Sequence, residues 1–163
     1  MDHLWTPWRS TYIEGTNREE PATCLFCRAV NRPDEENFVL HRGEHAFVML
    51  NLYPYSTGHL MVAPYIHVSR LNEADDEVTT EIMRLARRAE LVLEEVYEPH
   101  GLNVGLNLGE AAGAGIAGHI HLHVLPRWKG DANFMTVVGH TRIMPEAIET
   151  TYRKVRAAFQ QSR

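Results

Sequence analysis

The sequence predicts an α+β fold built on an antiparallel sheet. Strand-like runs follow one another through short polar connections instead of alternating with helices. One long stretch, Asn72 to Tyr97, carries a helical apolar stripe, and a shorter one closes the chain. The 163 residues, 44% hydrophobic and 23% charged, suffice for one ordinary domain with its own core.

Residues 1–23 are rich in Trp, Pro, Arg and Glu without a clear period. Trp5, Trp8, Tyr12 and Ile13 are too apolar for a disordered tail, so this segment is expected to be an arm packed on the domain or on a partner subunit. Residues 24–163 then form a single domain. Cys24 to Val30 reads as a short helical turn stopped by Pro33. Phe38-Val39-Leu40 and His45 to Leu50 read as two antiparallel strands, joined by the polar, Gly-containing His41-Arg42-Gly43-Glu44. Asn51 to Gly58 is a loop, and His59 to Ala63 a third strand.

In the main helix Val78, Ile82, Leu85, Ala89, Val92 and Val96 form one stripe. Asn72 or a neighbour caps it, Glu73, Asp75, Asp76 and Glu77 suit its positive end, and Pro99 and Gly101 stop it. Leu102 to Leu108 is a fourth strand and His119 to Leu125 a fifth. Pro145 opens the last helix, with Ile148, Tyr152, Val155 and Phe159 as its apolar face.

Sixteen basic against twenty-one acidic residues give a formal charge of −5, which argues against a general nucleic-acid binder. No apolar run reaches membrane-spanning length, and Met1-Asp2-His3-Leu4-Trp5 lacks the pattern of a secretory signal, so a cytoplasmic protein is expected. The only two cysteines, Cys24 and Cys27, are spaced Cys-x-x-Cys. In the cytoplasm that spacing points to metal or redox chemistry more than to a structural disulfide, and no βαβ pattern accompanies it to favour redox. A structural zinc would need two further ligands, and histidines are plentiful.

The chemistry concentrates in His119-Ile120-His121-Leu122-His123-Val124-Leu125. With a strand's period of two, His119, His121 and His123 share one exposed face, while Ile120, Leu122 and Val124 share a buried one. Just upstream, Asn107-Leu108-Gly109-Glu110 leads into residues 111–118, all Gly or Ala except Ile116. Small residues there, Gly113 and Gly115 among them, let backbone N–H groups approach an anion. A phosphate-binding loop beside a nucleophilic histidine suits phosphoryl or nucleotidyl transfer. Neutral imidazole is a competent nucleophile near pH 7, provided an acceptor on its second nitrogen fixes the tautomer.

The His-φ-His-φ-His-φ-φ pattern, with φ apolar, resembles the histidine triad (HIT) motif. Asn51, Gly58-His59 and Asn107 fall at similar relative places, so the resemblance runs from about Cys24 to Asn133. The segment from Arg127 to Phe134 looks like the bacterial branch similar to diadenosine tetraphosphate phosphorylases and fragile-histidine-type hydrolases. The resemblance implies a five-stranded sheet crossed by a long helix, a homodimer, and a covalent nucleotidyl-histidine on His121. It implies that His123 contacts phosphate or supports the His121 tautomer, that His59 orients the site, and that Asn51 and Asn107 bind nucleoside and phosphate. By its own sequence Asn51 is equally a turn residue capping its loop. His67 occupies a place where some similar proteins have a metal ligand, giving a zinc set of Cys24, Cys27, His67 and His119. No organic cofactor is implied. Where similar proteins often carry Gln, Ser or Thr, this chain has Gly115-Ile116-Ala117-Gly118.

The expected activity is therefore cleavage of dinucleoside polyphosphates, with inorganic phosphate or water as acceptor. A nucleoside phosphoramidate hydrolase and a nucleotide-binding or signalling module with weak catalysis are the alternatives. His3, His41, His45, His100 and His140 read as surface residues, Trp128 as a packing or dimer-contact residue, and Arg127 and Lys129 as a solvated basic pair or polyphosphate contacts.

Overall fold

The computed structural model describes residues 24–132 and 146–162. The expectations for residues 1–23, His140, Pro145 and the Asn133-Phe134 end of the resemblance lie outside these residues.

Five strands form one wholly antiparallel sheet: β1 (Val39–Arg42), β2 (Ala46–Leu50), β3 (Leu60–Pro64), β4 (Gly101–Leu106) and β5 (Leu122–Arg127), in the order β1-β2-β3-β5-β4. Helix α1 (Leu25–Val30) precedes the sheet, α2 (Asp76–Tyr97) crosses between β3 and β4, and α3 (Ile148–Gln161) closes the chain. The α+β expectation, with its long helix and C-terminal helix, is met.

Alternation along the strands sorts side chains onto two faces. Val48, Leu50, Leu60, Val62, Ile120, Leu122 and Val124 join Val78, Ile82, Leu85, Ala89 and Val92 of α2 and Tyr152, Val155 and Phe159 of α3 in the larger core. Burying these apolar chains is the main stabilising term, at about 1.5–3 kcal/mol for each Val, Leu, Ile or Phe. The opposite face carries Val39, Phe47, Met49, Met61 and Ala63, covered by Cys24, Phe26 and Ala29 of the α1 segment and by Ile116.

The long helix differs from expectation at its start. It starts at Asp76 after a separate 3₁₀ turn, Leu71–Glu73, and Glu73 serves that turn by accepting from the Ser69 and Arg70 N–H groups at 2.8 and 3.1 Å. It ends at Tyr97 as expected, through a left-handed residue at Glu98 just before Pro99. From its second turn, Glu81 accepts from the N–H groups of Glu44, His45 and Ala46 and so holds the β1–β2 turn. No helix of the described residues is long and apolar enough to cross a membrane.

Candidate functional site

Gly58 places the first histidine. Its φ of +78° is a conformation that residues with a side chain rarely adopt, and a Cβ there would lie 2.9 Å from the Tyr97 ring and 3.2 Å from Leu93 and Pro126. His59 follows directly and is buried. One position further along the same face, Met61 pairs with His123 across β3 and β5. On the other side of His123 the β4 partner is Gly105, with no side chain to crowd the imidazole.

The hydrogen bonds fix every tautomer in this row. The Tyr55 N–H donates to His59 Nδ1 at 3.1 Å, so neutral His59 carries its proton on Nε2. His59 Nε2–H then donates to His123 Nδ1 at 2.9 Å, which leaves the His123 proton on Nε2. His121 Nδ1 lies 2.8 Å from the His119 carbonyl. A carbonyl only accepts, so Nδ1 is protonated and Nε2 holds the lone pair. Burial, with the neighbouring His123 and His121, pushes His59 down to about 2, and burial lowers His121 as well. His59 and His121 are therefore neutral near pH 7.

His119 faces the other way. Its Nε2–H donates to the Pro64 carbonyl at 3.0 Å, so its Nδ1 lone pair points at Cys24 Sγ, 3.5 Å away, and Cys27 Sγ, 3.7 Å away. His67 Nδ1 lies 3.3 Å from Cys27 Sγ. The ligand atoms of Cys24, Cys27, His67 and His119 all lie within 4.8 Å of one another. A tetrahedral Zn²⁺ with ordinary Zn–S and Zn–N bonds sets sulfur–nitrogen separations of roughly 3.5 Å, so the cluster has the dimensions of such a site. The bond from Nε2 to a backbone carbonyl is the outer support that metal-bound histidines usually have. Without a cation, burial pushes the Cys24 thiol up to about 11 and His119 down to about 4. A bound divalent cation reverses the first effect by favouring the thiolate.

The expected open face of histidines is corrected by the structure. His119, His121 and His123 are all buried: α1 covers the first two, with the Phe26 ring 5.0 Å from that of His119 and 4.8 Å from that of His121, and the rings of Tyr55 and His59 pack against His123 at 6.0 and 5.0 Å. Strand β5 also begins only at Leu122, so His119 and His121 lie in the approach to it, tied by the Ile120 N–H to the Val68 carbonyl. The acceptor that orients His121 is the His119 backbone; the His123 imidazole makes an edge contact with the His121 ring instead, 4.8 Å between centroids.

Asn51 does two things at once. Its Oδ1 accepts from the Tyr53 N–H at 2.9 Å, capping its own loop, and its Nδ2 donates toward His59 Nδ1 at 3.2 Å. Asn107 directly follows β4, and its side chain makes no hydrogen bond to another described residue. The loop after it keeps only some of its N–H groups unpaired. The N–H groups of Ala112, Gly113 and Ala114 close a 3₁₀ turn onto Gly109 and Glu110, which removes Gly113 as an N–H donor. The N–H groups of Gly115 to Gly118 have no partner among the described residues.

Several side groupings also change. His41 is no surface residue: Arg88 Nη1 approaches its Nε2 at 3.0 Å and its ring stacks on Phe159. His100 is exposed and accepts from the Lys129 N–H, while His45 is partly buried. Arg127 pairs with Asp131 and Asn103, and Trp128 packs edge-on against Tyr97. The participants with no signature in the sequence are backbone groups: Tyr55 N–H, Pro64 C=O and His119 C=O. Phe26 had one, its place between the two cysteines.

Comparison with known proteins gives this geometry a context. The HIT domain profile matches residues 32–130. A Mycobacterium tuberculosis protein described as AP-4-A phosphorylase is 42% identical over 159 residues, covering 94% of this chain and 82% of that protein. Among solved structures, a Zn-bound histidine triad family protein from Mycobacterium smegmatis aligns with a TM-score of 0.70 at 29% identity, covering 87% of this chain and 96% of that one. A HIT-family protein from Bacillus subtilis aligns with a TM-score of 0.58 at 27% identity, over 82% and 95% of the two chains.

Proposed function

The chain belongs to the histidine triad family, and on that premise we propose that it cleaves dinucleoside polyphosphates by passing a nucleotidyl group through His121. The observation that carries this reading is the tautomer of His121, whose protonated Nδ1 on the His119 carbonyl leaves a lone pair on Nε2. In-line attack by Nε2 forms a P–N bond and breaks the P–O bond to the leaving nucleotide, which departs with the electron pair. His123 holds its proton on Nε2 through the bond from His59, and that N–H is the donor to the phosphoryl or leaving oxygen. Asn107 and the N–H groups from Gly115 onward are the remaining donors for phosphate oxygens. Asn51 acts through His59 as much as on the nucleoside.

The acceptor in the second step is inorganic phosphate. It attacks the adduct, the P–N bond breaks and the lone pair returns to Nε2, so diadenosine tetraphosphate yields ATP and then ADP. Two observations support phosphate over water: the similarity to a protein described as AP-4-A phosphorylase, and the lack of a polar side chain in Gly115-Ile116-Ala117-Gly118 to direct a water.

The Cys24, Cys27, His67 and His119 cluster is assigned to Zn²⁺ in a structural role, since four protein ligands leave no open position. Bound there, the ion supplies a cross-link between α1 and the His119 segment. A reducing cytoplasm keeps both thiols available for it. The working unit is a homodimer formed through the edge strand β4 and the outer face of α2, where Val104, Met83 and Leu91 are half or more exposed. Residues 24–163 act as the catalytic unit.

Product analysis tests the activity. Diadenosine tetraphosphate is incubated with the protein, with and without phosphate, and the nucleotides are resolved. ADP plus ATP only with phosphate is expected. AMP plus ATP without phosphate makes the protein a hydrolase. No products with nucleotide binding intact makes it a binding module.

A further inference from the structure

We infer that Phe26 is a positioning residue for the His121 nucleophile, held under the imidazole by a short helix anchored at both ends. The inference rests on the nucleotidyl-transfer reading and adds a residue to it.

Phe26 is fully buried, and one ring touches both imidazoles that matter: His121, at 4.8 Å with the planes tilted by 35°, and His119, at 5.0 Å and 49°. The first holds the attacking nitrogen. The second belongs to the residue whose carbonyl sets the tautomer of the first. Rotation of the His121 ring about its Cβ–Cγ bond takes Nδ1 away from that carbonyl. The His123 ring bounds the motion edge-on, at 4.8 Å and 79°, and Phe26 supplies a second wall. An imidazole bounded in this way keeps Nε2 aimed in one direction, as in-line attack requires.

What fixes Phe26 is the anchoring of α1. At its start, Cys24 and Cys27 face His119 and His67. At its end, Arg42 reaches over from β1 and donates to the carbonyls of Ala29 at 3.0 Å, Val30 at 3.2 Å and Arg32 at 3.4 Å, while its Nε pairs with Asp34 at 2.8 Å. A helix of six residues has too few internal bonds to hold its own place, so these two clamps set where Phe26 sits.

The test pairs single-turnover kinetics with ¹⁵N-histidine NMR on the full chain, with zinc content measured in each variant. Phe26→Ala is expected to lower the rate of adduct formation from diadenosine tetraphosphate about ten-fold, the scale of one lost aromatic contact, with KM within about two-fold. Phe26→Leu, which restores most of the packing, recovers part of the rate. Arg42→Gln leaves Phe26 in place, loosens its helix and lowers the rate in the same direction, which serves if Phe26→Ala does not fold. By NMR, His121 is the Nδ1–H tautomer alone in the parent protein, and the Nε2–H form appears in Phe26→Ala. The NMR readout needs no turnover, so it judges Phe26 even if the parent forms no adduct. Parent-like rate and tautomer in Phe26→Ala overturn the inference. So does a rise in KM alone, which makes Phe26 a wall of the substrate pocket, or a parallel loss of zinc, which makes the effect that of the metal.

Discussion

Replacing Gly58 by alanine probes the position from which the histidine relay is hung. At φ +78° a non-glycine residue costs about 1–2 kcal/mol. The new Cβ also meets the Tyr97 ring at 2.9 Å and Leu93 and Pro126 at 3.2 Å, and overpacking of this kind costs about 1–3 kcal/mol. The expected loss is about 3 kcal/mol, or a fall of about 1.5 M in the urea midpoint at an m-value of about 2 kcal/mol/M. Urea unfolding of purified Gly58→Ala against the parent reads this directly. Tyr97→Leu removes the closest contact, so Gly58→Ala should cost about 1 kcal/mol less in that background, while the backbone part persists. A single-variant loss under about 0.5 kcal/mol would show that the close approach does not constrain the turn, and with it the placing of His59.

Three other outcomes are expected. His121→Ala should abolish turnover by orders of magnitude and keep nucleotide affinity within a few-fold, measured by calorimetry beside the product assay; retained turnover moves the nucleophile elsewhere. Cys24→Ser should drop zinc from about one per chain to well below one in chelator-washed protein and lower the urea midpoint, whereas a zinc-free parent removes the metal assignment. Stability should fall on acidification. Burial holds His59 at about 2 when folded against 6.5 as the ordinary value, so the neutral form is the folded one and its contribution is complete above pH 6.5. Below that the unfolded chain takes up a proton the folded one refuses, costing about 2 kcal/mol between pH 6.5 and 5 for this group. A urea midpoint that is flat over that range contradicts a buried neutral His59.

Much of the fold was legible because its signals are local. The spacing of Val78 to Val96 names one helix face, and Ile120, Leu122 and Val124 name one strand face; both sets meet in the same core. The four candidate metal ligands converge as expected, although Cys24 and His119 are 95 positions apart. What escaped is what depends on long-range packing or on backbone atoms. Nothing local in Cys24 to Val30 says that this turn folds over His119 and His121. Nothing in the letters says that a carbonyl at His119 or an N–H at Tyr55 sets a tautomer. Small residues at 111–118 suggested a uniform cradle, yet a 3₁₀ turn at Glu110–Ala112 takes up the N–H groups of its first half. His41 looked solvent-exposed until α3 and Arg88 closed over it.

In the proposed reaction His121 Nε2 carries the nucleotidyl group. Rapid acid-free quenching during turnover of diadenosine tetraphosphate, followed by intact-mass and peptide mapping, tests it most directly. An adenylyl adduct on the peptide containing His121, formed and consumed at the rate of turnover and absent from His121→Ala, is the expected result. Full turnover with no adduct at any time point, or an adduct on another side chain, would contradict it.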